Sequence, residues 1–253
     1  LTEWPQRLDG SQNFYPKIVI YGAPGSGRTS LAATAPRPFF MSCEPEGLIG
    51  IGESGHLWWD IKNIDDMRVC WDWLVANPEE YDTIVMDTLT NMQILGMDEI
   101  VEPEEFKLNK HYWGMSFRQM RSVIGGLCAF PHHNVIFVCL DKLRDDEITS
   151  LKVLQPDIPP SQFKLLNINC RLIAHLGVYR QVDEETGQAV ANRWLQTFND
   201  GRKICKDTSG RLEPLIFVPP PQMGESHVLT DLFNQMRGLN SKEVPIEESQ
   251  AGS

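Results

Sequence analysis

A short run rich in β-branched residues, Lys17-Ile18-Val19-Ile20-Tyr21, leads straight into Gly22-Ala23-Pro24-Gly25-Ser26-Gly27-Arg28-Thr29, and a helical segment follows from Thr29 to Thr34. A strand, a glycine-rich turn and a helix in immediate succession leave few architectures open. The strand belongs in a sheet covered on both faces, and the helix has to fold back across it. The turn fits GxxxxGK[ST] at every position but one, because Arg28 stands where lysine is usual. Its glycines let backbone amides approach an anion at dihedrals that a Cβ would forbid. The helix start directs further amides and its positive dipole end at the same point. Gly22, Ala23, Pro24, Gly25, Ser26, Gly27, Arg28, Thr29 and Ser30 therefore form the candidate phosphate cradle. ATP and Mg²⁺ are the expected ligands, with the Thr29 hydroxyl, or Ser30 as its substitute, on the metal.

Arg28 keeps the positive charge but changes its shape. A guanidinium is larger and planar and prefers bidentate contacts, so attraction to phosphate survives while the reach between the β- and γ-phosphates is compromised. Binding is expected to be kept or modestly weakened, and hydrolysis slowed. A natural arginine and an engineered lysine-to-arginine trap fit this equally well.

Asp82-Thr83-Ile84-Val85-Met86-Asp87 reads as a buried strand ending on a carboxylate. That is the Walker B pattern, in which the acid steadies the Mg²⁺ shell across from the phosphate loop, so the metal pair is Thr29 and Asp87. Phe39-Phe40-Met41-Ser42-Cys43 is another buried strand, and Glu44 after it is the candidate to orient and deprotonate an attacking water, with Glu46 as its competitor.

Helical spacing covers residues 64–77 and 112–129, and a further apolar strand runs from Asn134 to Leu140. Strands are also predicted at Arg171 to Tyr179, Arg193 to Phe198 and Lys203 to Lys206, the first two joined through a turn at Gly187. The fold class is thus α/β: a mostly parallel twisted sheet flanked by helices, with antiparallel strands at one edge. The domain runs from residue 17 to 218, after an arm of residues 1–16; residues 219–253 bring a Pro-rich exit, a short helix (Val228 to Met236) and an acidic tail expected to be disordered.

No apolar run is long enough to span a bilayer as a helix. The opening Leu1-Thr2-Glu3-Trp4 has neither an initiator Met nor the pattern of a signal peptide, so a trimmed start is expected. Six scattered cysteines without a CxxC pair read as buried thiols in a reducing compartment, which points to the cytoplasm, or to the cytoplasm of a host cell. The net charge of −11 argues against a uniformly basic nucleic-acid binder but leaves room for local basic segments.

Taken in order, Ile18 to Gly27, Leu31-Ala32-Ala33-Thr34-Ala35-Pro36, the strand ending at Glu44, Tyr81 to Thr90, Asn134 to Val138 and the late Lys206-Asp207 resemble the RecA superfamily, and within it the phage RecA-like ATPases of the Sak single-strand annealing type. The resemblance covers residues 17 to about 218 and implies a RecA-like core. It further implies an ATP-dependent protein that assembles on single-stranded DNA as a ring or filament and promotes annealing, with ATP between neighbouring subunits. Lys206 would then reach the γ-phosphate of the adjacent protomer, which makes Glu44, Arg28 and Lys206 the candidate catalytic set. Thr208, where an arginine is common, and Leu140, where a polar phosphate sensor is common, depart from the pattern and point with Arg28 to slow turnover.

The resemblance also assigns DNA to the loops after the third and fourth strands, here residues 95–112 and 141–166. Lys107, Lys110 and His111 in the first, and Lys142, Arg144, Lys152 and Lys164 in the second, are the candidate contacts, with Tyr112, Trp113 and Phe163 available for stacking. Acids in both segments (Glu102, Glu104, Glu105, Asp145, Asp146, Glu147) oppose them. A second reading stays open: a nucleotide-dependent assembly module with little turnover and a protein partner.

Overall fold

The structure, a computed structural model, describes residues 14–101, 110–145, 150–182, 189–220 and 227–239. The arm up to residue 13, Lys107, the acids Glu102, Glu104, Glu105, Asp146 and Glu147, the turn at Gly187 and the acidic tail all lie outside the described residues.

Strands β1 (Lys17–Gly22), β2 (Pro38–Ser42), β3 (Leu57–Asp60), β4 (Thr83–Asp87), β5 (Asn134–Asp145), β6 (Lys152–Pro156), β7 (Leu172–Val182), β8 (Ala189–Gln196), β9 (Lys206–Asp207) and β10 (Leu215–Val218) join one sheet, with main order β10-β8-β7-β1-β5-β4-β2-β3. From β3 to β7 the neighbours in that order are parallel. β8 and β9 pair antiparallel with β7, β10 with β8, and β6 with β5. The result is the expected α/β class: a mostly parallel sheet flanked by helices, with antiparallel strands at the edge.

The central strands are largely apolar because both faces are covered. Along β1, Val19 and Tyr21 face one core with Met67 and Leu74 of α2 (Ile64–Ala76), Leu89 and Met92 of α3 (Leu89–Ile100), Met120 and Ile124 of α4 (Lys110–Cys128) and Leu166 of α5 (Pro160–Asn169). Ile18 and Ile20 face the other, with Leu31 of α1 (Arg28–Ala32) and Leu229, Leu232, Phe233 and Met236 of α6 (Val228–Arg237). α6, expected beyond the core, is part of it: the Leu229 amide donates to Thr34 Oγ1 at 3.0 Å and Arg237 Nη2 to Asn134 Oδ1 at 2.7 Å.

Three further segments differ from expectation. Much of residues 95–112 is helix, α3 running to Ile100 and α4 starting at Lys110. Residues 141–166 hold no single long loop: β5 continues to Asp145, pairs back with β6, and α5 follows. The strand expected at Lys203 to Lys206 shrinks to Lys206–Asp207, with a lone bridge from Lys203 to Leu154. Among the described residues, no helix is long and apolar enough to cross a membrane.

Candidate nucleotide-binding site

Parallel registry brings the carboxyl ends of the central strands to one edge of the sheet. Gly22 of β1 is level with Leu140 of β5, and Asp87 of β4 is level with Ser42 of β2. β5 lies between the loop-bearing strand and the carboxylate strand. In open α/β sheets ligands bind outside these strand ends, where successive connections leave in opposite directions.

The loop's sequence explains its path. A Cβ at Gly22 would run into the Leu176 carbonyl oxygen of β7. Gly27 caps α1 at φ 88° and ψ 30°, a left-handed conformation that costs a side chain dearly. Across the loop, Arg28 Nη1 donates to the Gly22 and Ala23 carbonyl oxygens, the latter at 2.8 Å. The guanidinium thus closes over its own loop; burial lowers its pKa, while Asp87, Cys139 and Glu44 oppose that shift. Ala23, Pro24 and Gly25 are exposed, Thr29 and Ser30 half-buried, and Ser26 buried.

Thr29 Oγ1 donates to Asp87 Oδ2 at 2.9 Å, although 58 residues separate them in the chain. Asp87 is 2% exposed, and its pKa is pushed up to about 6, first by burial and then by the nearby Glu44 carboxylate, against the Thr29 hydrogen bond and the Arg28 charge. A buried carboxylate beside a threonine hydroxyl is a hard-oxygen donor set suited to Mg²⁺. The buried Ser26 Oγ and Arg28 Nε are without hydrogen-bond partners, polar capacity that a phosphate oxygen would use. The residues present fit a magnesium–nucleotide.

Glu44 caps the 3-10 helix Pro45–Ser54, on which Glu46 is exposed. The Glu44 carboxylate accepts from Asn91 Nδ2 and, at 3.4 Å, from Thr88 Oγ1. Thr88 also caps α3 by accepting from the Asn91 amide at 3.1 Å. Sequence reading missed both partners. The signal was there: a cap-forming threonine after a strand, then Leu89, Met92 and Met97 at helical spacing.

Lys206 lies toward the other end of the sheet. It pairs with Ile173 near the start of β7, and its ammonium caps α5 by donating to the Asn167 and Cys170 carbonyl oxygens. Thr208 Oγ1 donates to the Arg171 carbonyl at 3.2 Å, and the Leu140 amide donates to Thr90 Oγ1 at 3.1 Å.

Of the candidate DNA contacts, Lys142 and Arg144 meet in one cleft with Thr90, Gln93, Ile94, Trp113 and Asp157. Lys142 Nζ is 3.2 Å from Asp157 Oδ1, Arg144 Nη2 3.9 Å from it, and Arg144 also donates to the Ile158 carbonyl at 2.9 Å. Trp113 and Ile94 are 43% and 52% exposed, an apolar floor open to solvent. Lys110 and His111 are exposed at the start of α4, Lys152 at the start of β6 and Lys164 on α5. None of these four lines the cleft.

Loop, buried carboxylate and parallel core define a P-loop nucleotide-binding domain. Residues 15–208 match the model of a family of AAA domains, AAA_24, and the chain belongs to that family. Among solved structures it has a loose likeness to the KaiC-like protein PH0186 of the hyperthermophilic archaeon Pyrococcus horikoshii OT3, with 12% identity over 72% of this chain and 77% of that one and a TM-score of 0.41. No curated protein sequence matches it.

Proposed function

We propose that the chain is an ATP-binding, RecA-like protein that assembles on single-stranded DNA and promotes annealing or recombination, with slow hydrolysis, in the cytoplasm. The observation that carries the DNA part is the cleft joining Trp113 to Lys142 and Arg144, an aromatic face beside two cations. Helix α3 supports a link between the two sites, since Thr88 and Asn91 hold Glu44 while Thr90, Gln93 and Ile94 line the cleft.

In this reading Gly22 to Thr29 hold the phosphates, Thr29 and Asp87 hold Mg²⁺, and Glu44 orients the attacking water as general base. Bound Mg²⁺ supplies charge neutralisation at the phosphate oxygens. Arg28 stands where it can contribute charge, but its ties to Gly22 and Ala23 must be exchanged for phosphate contacts, which fits slow turnover. Lys206, tied to its own α5, would reach the γ-phosphate of a neighbouring subunit only by releasing the Asn167 and Cys170 carbonyls, so its part in turnover depends on assembly.

Fluorescence anisotropy of a labelled oligonucleotide, with and without ATP and Mg²⁺, tests the reading. Nucleotide-dependent binding that weakens steeply with salt supports it. A second reading, a nucleotide-dependent assembly module with a protein partner, is favoured by one observation: Asp157 already pairs with both cleft cations. Absence of oligonucleotide binding at low salt selects it.

A further inference from the structure

His175 sits in the first half of β7, level with Tyr21 near the carboxyl end of β1 and so one position before Gly22 on that neighbouring strand. Its residue is 6% exposed, and its ring meets the Tyr21 ring edge-on with centroids 5.0 Å apart. Neither Nδ1 nor Nε2 has a hydrogen-bond partner. Nε2 is 3.5 Å from Asp141 Oδ2, near enough for an ion pair once the imidazole is protonated, but not a made hydrogen bond. The ring lines a groove together with Pro24, Gly25 and Ser26 of the phosphate loop, Asp141 and Lys203. Ser26 Oγ is also buried without a partner.

A buried imidazole with one nitrogen held only loosely by a carboxylate and the other without a partner is costly unless something enters to use them. The neighbouring loop is built for phosphate, yet a bare phosphate oxygen approaching Asp141 would be repelled. A protonated His175 between the two removes the conflict, because both ring nitrogens then donate, one to Asp141 and the other to the incoming oxygen.

We propose that His175 is a positioning residue for the terminal phosphate of the bound nucleotide, taking up a proton as the triphosphate enters and bridging a phosphate oxygen to Asp141. The inference rests on the reading of the adjacent loop as a triphosphate cradle. The titratable groups facing the ring are Asp141 of β5, Tyr21 of β1, and Asp200, Lys203 and Cys205 between β8 and β9. Burial and then Lys203 lower the pKa of His175, while Asp141 and Asp200 raise it. The Lys203 ammonium is itself held by Tyr179 Oη at 2.8 Å and Gln196 Oε1 at 3.0 Å. The ring is therefore neutral at pH 7 without nucleotide, and a terminal phosphate that reaches its unpartnered nitrogen raises its proton affinity. Linkage then makes triphosphate affinity increase as pH falls through that window, by up to about tenfold per pH unit. A diphosphate, lacking the terminal group, does not gain in this way.

The test is titration calorimetry of the full chain with Mg·ADP and with a magnesium complex of a non-hydrolysable ATP analogue, in two buffers of different ionisation enthalpy, which counts protons taken up. The wild-type chain should take up more protons with the analogue than with ADP. His175→Gln should abolish the part of that excess that does not come from the analogue itself, and weaken the analogue by about three- to tenfold while leaving ADP affinity unchanged. Asp141→Asn should reduce the same excess. Protonation of the analogue's own phosphate cancels between wild type and variant. An excess identical in wild type and His175→Gln overturns the inference while leaving the cradle intact. Binding of neither nucleotide overturns both. Should His175→Gln fail to fold, the histidine ring resonances of the wild-type chain decide: a downfield shift of one ring on adding the analogue but not ADP supports the proposal, and no shift overturns it.

Discussion

Asp87 pulls in two directions. Its pKa near 6 against an ordinary value of 3.8 means that the folded chain holds this proton more tightly than the unfolded chain. The contribution to stability is therefore full below pH 3.8 and is lost as pH rises toward 6. At pH 7 the nucleotide-free chain carries that cost, and Asp87→Asn should stabilise it by up to about 3 kcal/mol in urea unfolding while abolishing Mg²⁺-dependent nucleotide binding. A loss of stability together with retained Mg²⁺ dependence would contradict the assignment. Arg28 sets a second expectation: because its guanidinium is bound to loop carbonyls, Arg28→Lys should raise turnover by tenfold or more, about 1.4 kcal/mol of barrier, in a phosphate-release assay. Equal turnover would leave the slow-hydrolysis reading without support.

At the scale of elements, α3 joins the carboxylate that would activate water to the cleft that would hold a strand. Asn91→Ala frees Glu44 from the amide that donates to it and should lower turnover about tenfold with nucleotide affinity unchanged. Trp113→Ala should weaken oligonucleotide binding by about 1–3 kcal/mol without touching nucleotide affinity, as expected for loss of a stacking face. The central strands, α2 and α4 were legible because burial on two faces, or on one helical stripe, writes itself into the residue pattern. α3 was not, because its first turn, Leu89-Thr90-Asn91, looks like a continuation of β4 until Thr88 is seen to cap it. β3 and β10 escaped notice for a different reason. Each is a four-residue strand at an end of the sheet, with apolar residues exposed, Leu57 and Trp58 or Leu215 and Phe217, so no alternation of polar and apolar residues marks it in the sequence. At the site, the glycine pattern of the loop, the strand-end positions of Asp87 and Glu44 and the capping threonine Thr88 are visible in the sequence. That Thr88 and Asn91 turn to Glu44, that His175 faces Asp141 and that Lys206 is tied to α5 is not, since these contacts join segments distant in the chain.

Across the molecule, the thiols make a prediction that their scatter in sequence hides. Burial pushes Cys43, Cys70 and Cys139 up to about 12 and Cys205 to about 11, from an ordinary 9.0, so the unfolded chain releases these protons first. Their stabilisation is complete below pH 9.0 and is lost as pH climbs toward those values, at about 1.4 kcal/mol per pH unit for each thiol. Lys17, lowered from 10.5 to about 8 mainly by burial, acts the other way between those limits, but it is one group against four. Urea unfolding of the reduced chain should show stability falling between pH 9 and 10.5, and a flat or rising profile would contradict the placement of Cys70, Cys139 and Cys205 in the core and of Cys43 against it. The same two-faced core that buries them fixes the sheet edge where Gly22, Asp87 and Glu44 meet. The most direct measurement is a crystal structure of the chain with magnesium and a non-hydrolysable ATP analogue at saturation. The phosphates are expected within the loop Gly22 to Thr29, with the metal between Thr29 and Asp87. Phosphates bound elsewhere, or a loop that keeps Arg28 folded onto its own carbonyls and takes no ligand, would contradict the central claim.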